Sequence, residues 1–532
     1  MKPLQAMLAA GGALALRATL RNPARTINEE DEDEEFPGLP IVPTLLCAAG
    51  WSLFAWIGLA QKDDMIQTDE QVEIASDLSD GGRTITIVTT ASVPWLTGTA
   101  VNPAIRAVEL AKLDNEVTLV LPWLLPQDQP SVFSGKVMFQ SPAEQAQYVR
   151  EWMKGLYPLP EDEDEENEML LPEIRFYAGG YSKEVGSVFP LSDIVKALPQ
   201  NTFRDMLILE EPEHLTWYYY GDRLTHQYRY VVGIIHTNYF AYAMNWAFPV
   251  GLVKGPLLWA YNKWCTRAHT HRIIKLSDAM QGFPRAITAN VHGVRSNFLE
   301  IGKSTERDFS HDFYFVGKLV WQKGYNRLVP LLKNYYRKTG EALPMEWFGS
   351  GDDANAIYES TQREVALHNI ICRGQAVDHV ELTNFKALIN ASDSEGLATV
   401  TLEAIAMGKF VVIIDHSCNH FFRQFPNALF YRNQSEFIGA VQYAASHQPN
   451  PLTEAEVEAL SWSGAMSRFV DAVQTKQTRG AVDNFASNAL ARMMKISSCK
   501  LFSNPEYAEI MEEVKREREG RDTLRSYQVA TA

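Results

Sequence analysis

Residues 394–408 read Ser-Glu-Gly-Leu-Ala-Thr-Val-Thr-Leu-Glu-Ala-Ile-Ala-Met-Gly, and Phe410-Val-Val-Ile-Ile-Asp415 follows almost at once. Gly396 permits a tight loop, and Leu397 to Met407 has the composition of a helix. The apolar run from Phe410 is typical of a strand that is buried on both faces of a parallel sheet. The stretch therefore predicts a loop, a helix and a buried strand of a doubly wound α/β domain.

Two glutamates of this stretch, Glu395 and Glu403, stand eight positions apart. Glu395 precedes the predicted helix, while Glu403 lies about two turns inside it. The N–H groups of Leu397, Ala398 and Thr399 would be unpaired at the helix start, which suits an anion such as a diphosphate. Carboxylates beside a phosphate site indicate a second ligand group, for which sugar hydroxyls are the obvious candidate. Alternatively, one glutamate is a surface acid and the other complements the helix dipole.

The composition is that of a soluble globular protein larger than one ordinary domain. The chain has 532 residues, 46% of them hydrophobic, and a formal net charge of -16. Two runs, 29–35 and 161–168, contain fourteen of the acids, and without them the charge is -2. The folded body therefore has no basic stripe for nucleic acid. The five cysteines form no C-x-x-C pair, which argues against a zinc site or a disulfide framework and favours a reducing compartment.

The N-terminal region has a character of its own. Residues 1–28 contain four basic residues and no acid, as in a targeting segment. Residues 41–60 form an uncharged run of twenty, long enough to cross a bilayer. Because proline and several small residues interrupt this run, it is equally compatible with a segment packed on the first domain.

From Arg83 onward, strand-like and helix-like segments alternate in two blocks, which indicates two doubly wound domains with a cleft at the carboxyl ends of their strands. An early helix is predicted from Asn102 to Leu113, with Asn102 as N-cap and Pro103 at the first position. The first-block strands are predicted at Thr84–Thr90, Glu116–Leu121, Ile174–Tyr177, Asp205–Leu209, Tyr230–His236 and His271–Leu276. The second-block strands are predicted at Ala286–Val291, Phe313–Val316, Met345–Phe348, Ile370–Cys372 and Phe410–Asp415. We divide the chain into an extension (1–80), a first domain (81–285, with an acidic insert at 161–168), a second domain (286–475) and a helical tail (476–532).

Two strand ends of the first block carry candidate ligand contacts. The loop from Ala91 to Asn102 contains Gly98, which would let the backbone approach a ligand closely, although a plain strand–helix turn is also compatible with it. His236 follows an apolar run in Gly233-Ile-Ile-His-Thr-Asn-Tyr239. It is either a satisfied core residue or a functional group that faces the cleft.

In the second block, Lys318 and Lys323 follow the strand that ends at Val316. Both would face the cleft and bind phosphate oxygens, with about 1.5–3 kcal/mol for each charge-assisted bond. Either one alone is equally compatible with solvated surface. Gly349, in Trp347-Phe-Gly-Ser-Gly-Asp352, follows another strand and is consistent with a loop that lines a nucleotide.

Together these residues resemble the retaining glycosyltransferases of the GT-B fold, in particular the large family with a Glu-x7-Glu motif. Longer motifs, in the right order, narrow the resemblance to the digalactosyldiacylglycerol synthase family over about residues 84–475. These motifs are Val88-Thr-Thr-Ala-Ser-Val-Pro-Trp-Leu-Thr-Gly-Thr-Ala-Val-Asn-Pro103, Leu209-Glu-Glu-Pro-Glu-His-Leu-Thr-Trp217, Gly233-Ile-Ile-His-Thr-Asn-Tyr239, Asn290-Val-His-Gly-Val294, Ala404-Ile-Ala-Met-Gly-Lys409 and Phe421-Phe-Arg-Gln-Phe-Pro-Asn427.

The resemblance implies transfer of galactose from UDP-galactose to monogalactosyldiacylglycerol, with the anomeric configuration of the donor retained. In the wider family the second glutamate, here Glu403, binds the ribose, and the first, here Glu395, contacts the donor sugar. A basic pair neutralises the diphosphate, and here it is Lys318 and Lys323. His236 matches the family histidine near the donor sugar.

The resemblance also implies that the Gly98 loop approaches the diphosphate and the acceptor. No cofactor is implied beyond the UDP-galactose substrate. No metal ion is implied either, because the lysines take the place of magnesium and no Asp-x-Asp motif is needed.

A lipid acceptor implies that the enzyme works on a membrane surface, here the outer envelope of the plastid (chloroplast), either peripherally or through an N-terminal anchor. The apolar and aromatic stretch Phe248–Tyr261, followed by basic residues up to Arg272, suits an interfacial contact. The alternative is a buried helix that leads into the next strand.

Two other functions are compatible with the sequence. One is a GT-B transferase with another acceptor, such as a sterol, a sugar phosphate or a glucosyl lipid. The other is a membrane-bound scaffold of the same fold without catalytic activity, which the intact set of Glu395, Glu403, Lys318, Lys323 and His236 disfavours.

Overall fold

The computed structural model describes residues 70–72 and 78–479, except for segments at 134–136, 157–170, 183–185, 192–193, 199–204, 218, 220–222, 245–249, 305–308, 352, 375–376, 394 and 475–476. The two acidic runs and the uncharged run at 41–60 lie outside the described residues.

The described strands form two large sheets and one short pair. Strand bounds are β1 Glu70–Val72, β2 Thr84–Val88, β3 Glu116–Leu124, β4 Glu173–Ser182, β5 Ser187–Pro190, β6 Met206–Glu210, β7 Tyr230–Ile235, β8 Arg272–Lys275, β9 Ala286–Thr288, β10 His311–Val316, β11 Met345–Phe348, β12 Ile370–Cys372, β13 Phe385–Asn390, β14 Phe410–Ile414, β15 Ala428–Tyr431 and β16 Gln477–Arg479.

The first sheet has the order β5-β4-β3-β2-β6-β7-β8-β9, and every neighbouring pair is parallel except β4 and β5. Its central strands are buried on both faces, as Val88 and Ile208 show with 0% of their surface exposed. The chain order reverses between β2 and β6. In a doubly wound sheet, ligands bind beyond the carboxyl ends of the strands at such a reversal.

The second sheet is fully parallel, with the order β12-β11-β10-β13-β14-β15. Numbered from its own first strand, this is the 3-2-1-4-5-6 order of a nucleotide-binding fold, and its reversal lies between β10 and β13. The prediction of two Rossmann-like domains in a GT-B arrangement is confirmed.

Helices flank both sheets. Helix bounds are α1 Gly98–Lys112, α2 Gln129–Val132, α3 Pro142–Leu156, α4 Pro212–Thr216, α5 Tyr239–Met244, α6 Val250–His269, α7 Ser296–Lys303, α8 Tyr325–Thr339, α9 Ala354–Arg363, α10 Thr399–Ala406, α11 Gln434–Ser446, α12 Glu454–Leu460 and α13 Trp462–Val473. Short 3-10 turns lie at Leu78–Asp80, Ile194–Ala197, Leu224–His226, Trp321–Lys323, Val365–Leu367, His379–Glu381 and Ser417–Gln424.

Helix α1 begins four residues before the predicted start at Asn102, so that prediction was wrong. Pro103 lies inside the helix and cannot donate to the carbonyl of Thr99. The hydroxyl of Thr89 donates to that carbonyl instead. Asn102 does not cap the helix, because its side-chain amide donates to the carbonyl of Gly98 at 2.9 Å. Side-chain hydrogen bonds thus make an interior proline tolerable.

The segment predicted to open the second block, Ala286–Val291, was assigned to the wrong sheet. It supplies β9, which pairs with β8 as the last strand of the first sheet. The second sheet begins with β10. The apolar pattern that identified a strand carries no information about its neighbours, because pairing depends on residues distant in sequence.

The last described helix, α13, returns to the first domain. Trp462 and Ala465 pack against Ile105 of α1. The turn before α13 lies against the segment that joins the sheets, where Val294 N donates to Leu460 O at 2.9 Å. The two domains are therefore joined both by the connecting segment and by this returning helix.

The ends of the described chain are also tied together. Strand β1 pairs antiparallel with β16, so residues 70–72 and 477–479 lie side by side. Leu78 is 2% exposed and belongs to the main core cluster. Among the described residues, no helix has both the length and the apolarity that crossing a membrane requires.

Candidate active site

The loops after β10 and β13 meet at the reversal of the second sheet. Gly324 closes the turn after β10 with φ +101°, and a Cβ on it would lie 2.7 Å from the backbone N of Ser392. Only glycine allows this approach without displacing backbone. The close contact brings the lysine loop and the glutamate loop to one place.

Lys323 and Glu395 form an ion pair at this meeting point. Lys323 Nζ donates to both carboxylate oxygens of Glu395, at 2.7 and 2.9 Å. The two side chains are 29% and 19% exposed. In this structure the charge of Lys323 is therefore matched by a carboxylate, so a diphosphate at the same place would have to share it.

Lys318 and Gly349 lie on the neighbouring strand exits. Lys318 is exposed in the turn directly after β10. Gly349 follows β11, and the two exits run side by side because Gly317 N donates to Phe348 O at 3.0 Å and Leu319 N donates to Ser350 O at 2.9 Å. Both predicted residues are thus at the carboxyl edge of the second sheet.

Helix α10 starts at Thr399 and not at the predicted Leu397. Leu397 is 8% exposed and packs into the main core, while Ala398 has an extended backbone and acts as N-cap. The methyl group of Ala398 cannot accept a hydrogen bond from the first turn. Glu403 is the fifth residue of the helix, about one turn inside.

Glu403 is held by a chain of two side chains. His379 Nδ1 lies 2.8 Å from Glu403 Oε2, and the Tyr314 hydroxyl lies 2.7 Å from His379 Nε2. With Glu403 ionised, Nδ1 carries the proton and donates, and the tyrosine hydroxyl donates to Nε2. Burial raises the pKa of Tyr314 well above its usual value, so this hydroxyl keeps its proton. One carboxylate oxygen of Glu403 is therefore fixed from behind.

In the first domain, His236 comes directly after β7 and is bonded to an acid that the sequence reasoning did not identify. His236 Nε2 lies 2.5 Å from Glu210 Oε2, and Glu210 Oε1 accepts from Arg106 Nε at 2.9 Å. Glu210 and Arg106 are completely buried. The motif Leu209-Glu-Glu-Pro contained a usable signal, since an apolar strand that ends in two acids predicts buried carboxylates at a sheet edge.

The second of these acids, Glu211, holds the loop after β7. It accepts hydrogen bonds from Thr237 Oγ1 at 2.5 Å, Thr90 Oγ1 at 2.6 Å and Tyr239 at 3.1 Å. Its φ is +69°, in the left-handed region that a non-glycine residue rarely adopts. Strained backbone of this kind persists where surrounding contacts fix it, commonly at functional sites.

The two domains touch between the loops that carry His236 and Glu395. A Cβ on Gly396 would lie 2.2 Å from the carbonyl oxygen of His236 and 2.3 Å from Cε of Met280. Asp278 and His420 form a second contact across the cleft at 3.7 Å. The loops that carry the predicted donor-sugar residues of the two domains therefore meet at one junction.

Gly98, the remaining predicted contact, is the first residue of α1. A Cβ on it would meet only the side-chain amide of Asn102, at 3.4 Å. Nothing within the described chain crowds this position, and the start of α1 lies at the carboxyl edge of the first sheet.

Glu210, His236 and His292 are close enough for their ligand atoms to surround a metal ion. However, Arg106 and His236 already occupy both oxygens of Glu210. Burial, together with the charges of His236, Arg106 and Arg468, lowers the pKa of His292 well below its usual value. The buried guanidinium of Arg106 thus forms an ion pair with this carboxylate, and a neutral His292 lies beside the pair.

Sequence comparisons agree with this geometry. A profile described as "Glycosyl transferases group 1" matches residues 299–423, which contain Lys318, Lys323, Glu395 and Glu403. Among solved structures, the crystal structure of TarM matches 80% of this chain and 100% of the TarM chain, with 12% identity and a TM-score of 0.45. A superposition this loose bears on neither fold nor function.

Curated plant proteins match most of the chain. Digalactosyldiacylglycerol synthase 1, chloroplastic, of Glycine max is 41% identical over 408 residues, 74% of this chain and 50% of that protein. The chain thus spans about half the length of this relative. Digalactosyldiacylglycerol synthase 2, chloroplastic, of Arabidopsis thaliana is 38% identical over 422 residues, 78% of this chain and 86% of that protein. The match to the Arabidopsis thaliana protein extends over most of that protein and most of this chain. The chain therefore belongs to the digalactosyldiacylglycerol synthase family.

Proposed function

We propose that this chain transfers galactose from UDP-galactose to monogalactosyldiacylglycerol with retention, forming an α-linked digalactosyl lipid. The observation that carries the proposal is the junction at Gly396, where the His236 loop meets the loop of Glu395, which is paired with Lys323. Such a junction brings a sugar-binding carboxylate, a cation and a histidine to one cleft. We infer the two substrates from the membership of this chain in the digalactosyldiacylglycerol synthase family.

The reaction develops negative charge on the leaving diphosphate and positive character on the donor sugar. Lys318, Lys323 and the start of α10 would stabilise the diphosphate, and Glu395 would face the sugar. Glu403, held by His379, would bind the ribose hydroxyls. We assign no general base, because same-face attack lets the leaving phosphate assist deprotonation of the acceptor. Nor do we assign a metal ion or a cofactor.

A direct assay tests the proposal. The purified protein is incubated in detergent with UDP-galactose and monogalactosyldiacylglycerol, and the product is identified by thin-layer chromatography and linkage analysis. We expect an α-linked digalactosyl lipid, with EDTA changing the rate by less than about twofold. Transfer only to a sterol, a sugar phosphate or a glucosyl lipid would overturn the acceptor assignment. Activity that disappears with EDTA and returns only with a divalent ion would overturn the metal-free reaction.

The relatives are named chloroplastic, and we propose that this chain acts at the plastid outer envelope membrane. On helix α6, Trp259 is 38% exposed and Lys263 Nζ lies 3.8 Å from the centre of its ring. An exposed tryptophan beside a cation suits the interface of an anionic membrane. Recovery of the full chain with isolated outer envelope, and not with stroma, is the expected result.

A further inference from the structure

A buried relay of charge lies behind His236, which the proposed function places next to the donor sugar. It runs from Arg106 of α1 to Glu210 at the end of β6 and then to His236 after β7, through contacts of 2.9 and 2.5 Å. Arg106 and Glu210 are 0% exposed, and the His236 side chain is 6% exposed. Neighbouring strands supply the last two groups, because Glu210 pairs with Ile234 in the register of β6 and β7.

Arg106 has little besides Glu210 to balance its charge. Its Nη1 and Nη2 atoms have no hydrogen-bond acceptor among the described residues. The guanidinium carbon lies 5.7 Å from the ring of Trp462 and 5.0 Å from that of Phe469, both on the returning helix α13. An arginine keeps its proton in a protein, so this buried cation requires an ionised carboxylate beside it.

The ionised state of Glu210 decides the proton position on His236. Burial alone would raise the pKa of Glu210, but the charge of Arg106 and the hydrogen bonds from Arg106 and His236 hold it below its usual value. A carboxylate has no proton to share, so the proton of the 2.5 Å contact belongs to Nε2 of His236. In the neutral form of the ring, the other nitrogen, Nδ1, is then the acceptor.

A structural requirement does not explain this arrangement. Two buried charges are costly to desolvate, and an apolar pair of similar volume usually serves a core at least as well. The relay has a functional explanation if catalysis depends on the orientation of its third group, His236. The backbone carbonyl of His236 lies against Gly396 of the other domain, so His236 stands at the junction where the substrates would meet.

We propose that Glu210, held ionised by Arg106, is a positioning residue that fixes His236 in the orientation and tautomer with Nε2 protonated, so that Nδ1 accepts a hydrogen bond from a hydroxyl of the sugar substrates. This role rests on the proposed galactosyl transfer. It predicts that Glu210 affects turnover only through His236, and that the packing of α13 on Arg106 supports Glu210.

Four variants test the role: Glu210→Gln, Arg106→Met with Glu210→Gln, His236→Ala, and His236→Ala with Glu210→Gln. Glu210→Gln alone leaves the buried charge of Arg106 without a counter-charge, which can destabilise the fold. The double change at Arg106 and Glu210 removes both buried charges, so we expect that variant to stay folded. For each variant, kcat and KM for UDP-galactose, the Kd for UDP and the thermal unfolding midpoint are measured.

We expect Glu210→Gln to lower kcat about 10- to 100-fold, as losses of partners behind a site residue usually do, with KM and the Kd for UDP changed less than about threefold. The Arg106→Met, Glu210→Gln variant should recover thermal stability but not kcat. In the His236→Ala background, Glu210→Gln should change kcat less than about twofold, because the group through which it acts is gone. Recovery of wild-type kcat in the charge-free double variant, or effects that multiply with His236→Ala, would show that Glu210 serves the core alone.

An arm independent of the acceptor separates this inference from the proposed function. In protein labelled with ¹⁵N-histidine, the His236 signals are identified by their absence in His236→Ala. Wild type should carry its proton on Nε2, and Glu210→Gln should show a mixture of tautomers. A wild-type proton on Nδ1 alone would overturn the inference whichever acceptor the enzyme uses. Failure of unmodified protein to galactosylate monogalactosyldiacylglycerol would overturn the proposed function instead.

Discussion

Glu395 and Glu403 share a motif but have different electrostatic surroundings. Glu395 faces the ammonium of Lys323, whereas Glu403 faces His379 and, through it, Tyr314. The first acid is balanced by a charge that a substrate phosphate could compete for. The second is held by a ring that is itself buried. This contrast fits a role in the chemical step for Glu395 and a role in binding for Glu403.

Glu403→Ala should weaken UDP binding. If Glu403 accepts ribose hydroxyls, its loss removes hydrogen bonds to a charged group, which contribute about 1.5–3 kcal/mol. Calorimetric titration with UDP checks this, with Glu359→Ala as control because Glu359 is exposed and pairs only locally with Arg363. Unchanged UDP affinity in folded Glu403→Ala protein would exclude the ribose assignment.

Lys323→Ala should lower kcat more than it raises the Kd for UDP-galactose, because charge on the diphosphate grows towards the transition state. Steady-state rates and donor binding, measured on the same preparation, give the two effects. Lys338→Ala, an exposed lysine on α8, is the matched control. An equal loss in binding and turnover would mean that Lys323 contributes only to ground-state binding.

Lys409 is a buried residue with a distinct pH signature. Burial lowers the pKa of Lys409 to about 7, and its ammonium lies 4.7 Å from the ring of Tyr314. The unfolded chain, with an ordinary lysine pKa of 10.5, binds more protons than the folded chain between pH 7 and 10.5. Stability should therefore rise with pH through this window, by at most about 1.4 kcal/mol per pH unit, and should be lowest below pH 7.

Lys409→Met keeps the volume and removes the titration. Urea unfolding at several pH values should show a steeper rise with pH for wild type than for Lys409→Met, and a more stable variant at pH 7. Lys338→Met should behave like wild type. If stability changed with pH equally in wild type and Lys409→Met, Lys409 would have the same pKa in the folded and the unfolded chain.

At the scale of elements, the carboxyl-edge loops decide how the site is assembled, and glycines set how closely these loops approach. Gly324 joins the loops after β10 and β13 within the second domain. Gly396 joins the second domain to the loop after β7. The first contact brings Lys323 to Glu395, and the second brings the loop of Glu395 to the backbone of His236. Each depends on the absence of a single methyl group.

Gly396→Ala should therefore separate the domains at the cleft. Its Cβ would lie 2.2 Å from a backbone oxygen, a contact that a flexible side chain cannot relieve. We expect a fall in kcat of more than about tenfold, since a misplacement of about 1 Å can cost about a hundredfold. Gly439→Ala on α11 is the control: a Cβ there meets nothing within 4 Å, and alanine should stabilise the helix. Wild-type turnover in Gly396→Ala would show that the junction is not needed for catalysis.

The sequence allowed the elements to be predicted better than their contacts. The segments Met345–Phe348 and Ile370–Cys372 were predicted with the observed bounds, because their aromatic and β-branched residues favour strands. The start of α1 was missed because a hydroxyl of Thr89, outside the helix, makes an interior proline tolerable. Arg106 and Glu210 were missed because their pairing joins positions 104 residues apart. Such a contact leaves no periodic signal.

At the scale of the whole molecule, the described fold reaches further towards both ends than the sequence boundaries implied. The extension was placed at 1–80, but β1 pairs with β16 and Leu78 is buried in the core. Asn115 also donates to the carbonyl of Leu78 at 3.3 Å. Residues 70–72 and 78–80 therefore contribute to the folded body. A truncation designed to test membrane attachment must stop before them.

Two truncations should separate folding from attachment. Deletion of 1–69 keeps β1 and Leu78, so we expect wild-type thermal stability and transfer to acceptor in detergent. Its activity on membranes should fall, because the uncharged run 41–60 is lost and the local concentration at the surface drops. Deletion of 1–80 removes a buried leucine as well, and should cost at least about 2 kcal/mol of stability.

The comparison of the two is decisive. If deletion of 1–69 abolished transfer even in detergent, residues 41–60 would have to pack on the first domain, the alternative that the sequence left open. If the protein without residues 1–69 stayed on membranes after a salt wash, attachment would lie in the folded body, where α6 exposes Trp259. Equal stability of the two truncations would instead show that β1 and Leu78 contribute nothing to the fold. In that case the pairing of β1 with β16 would join the two segments without stabilising the fold.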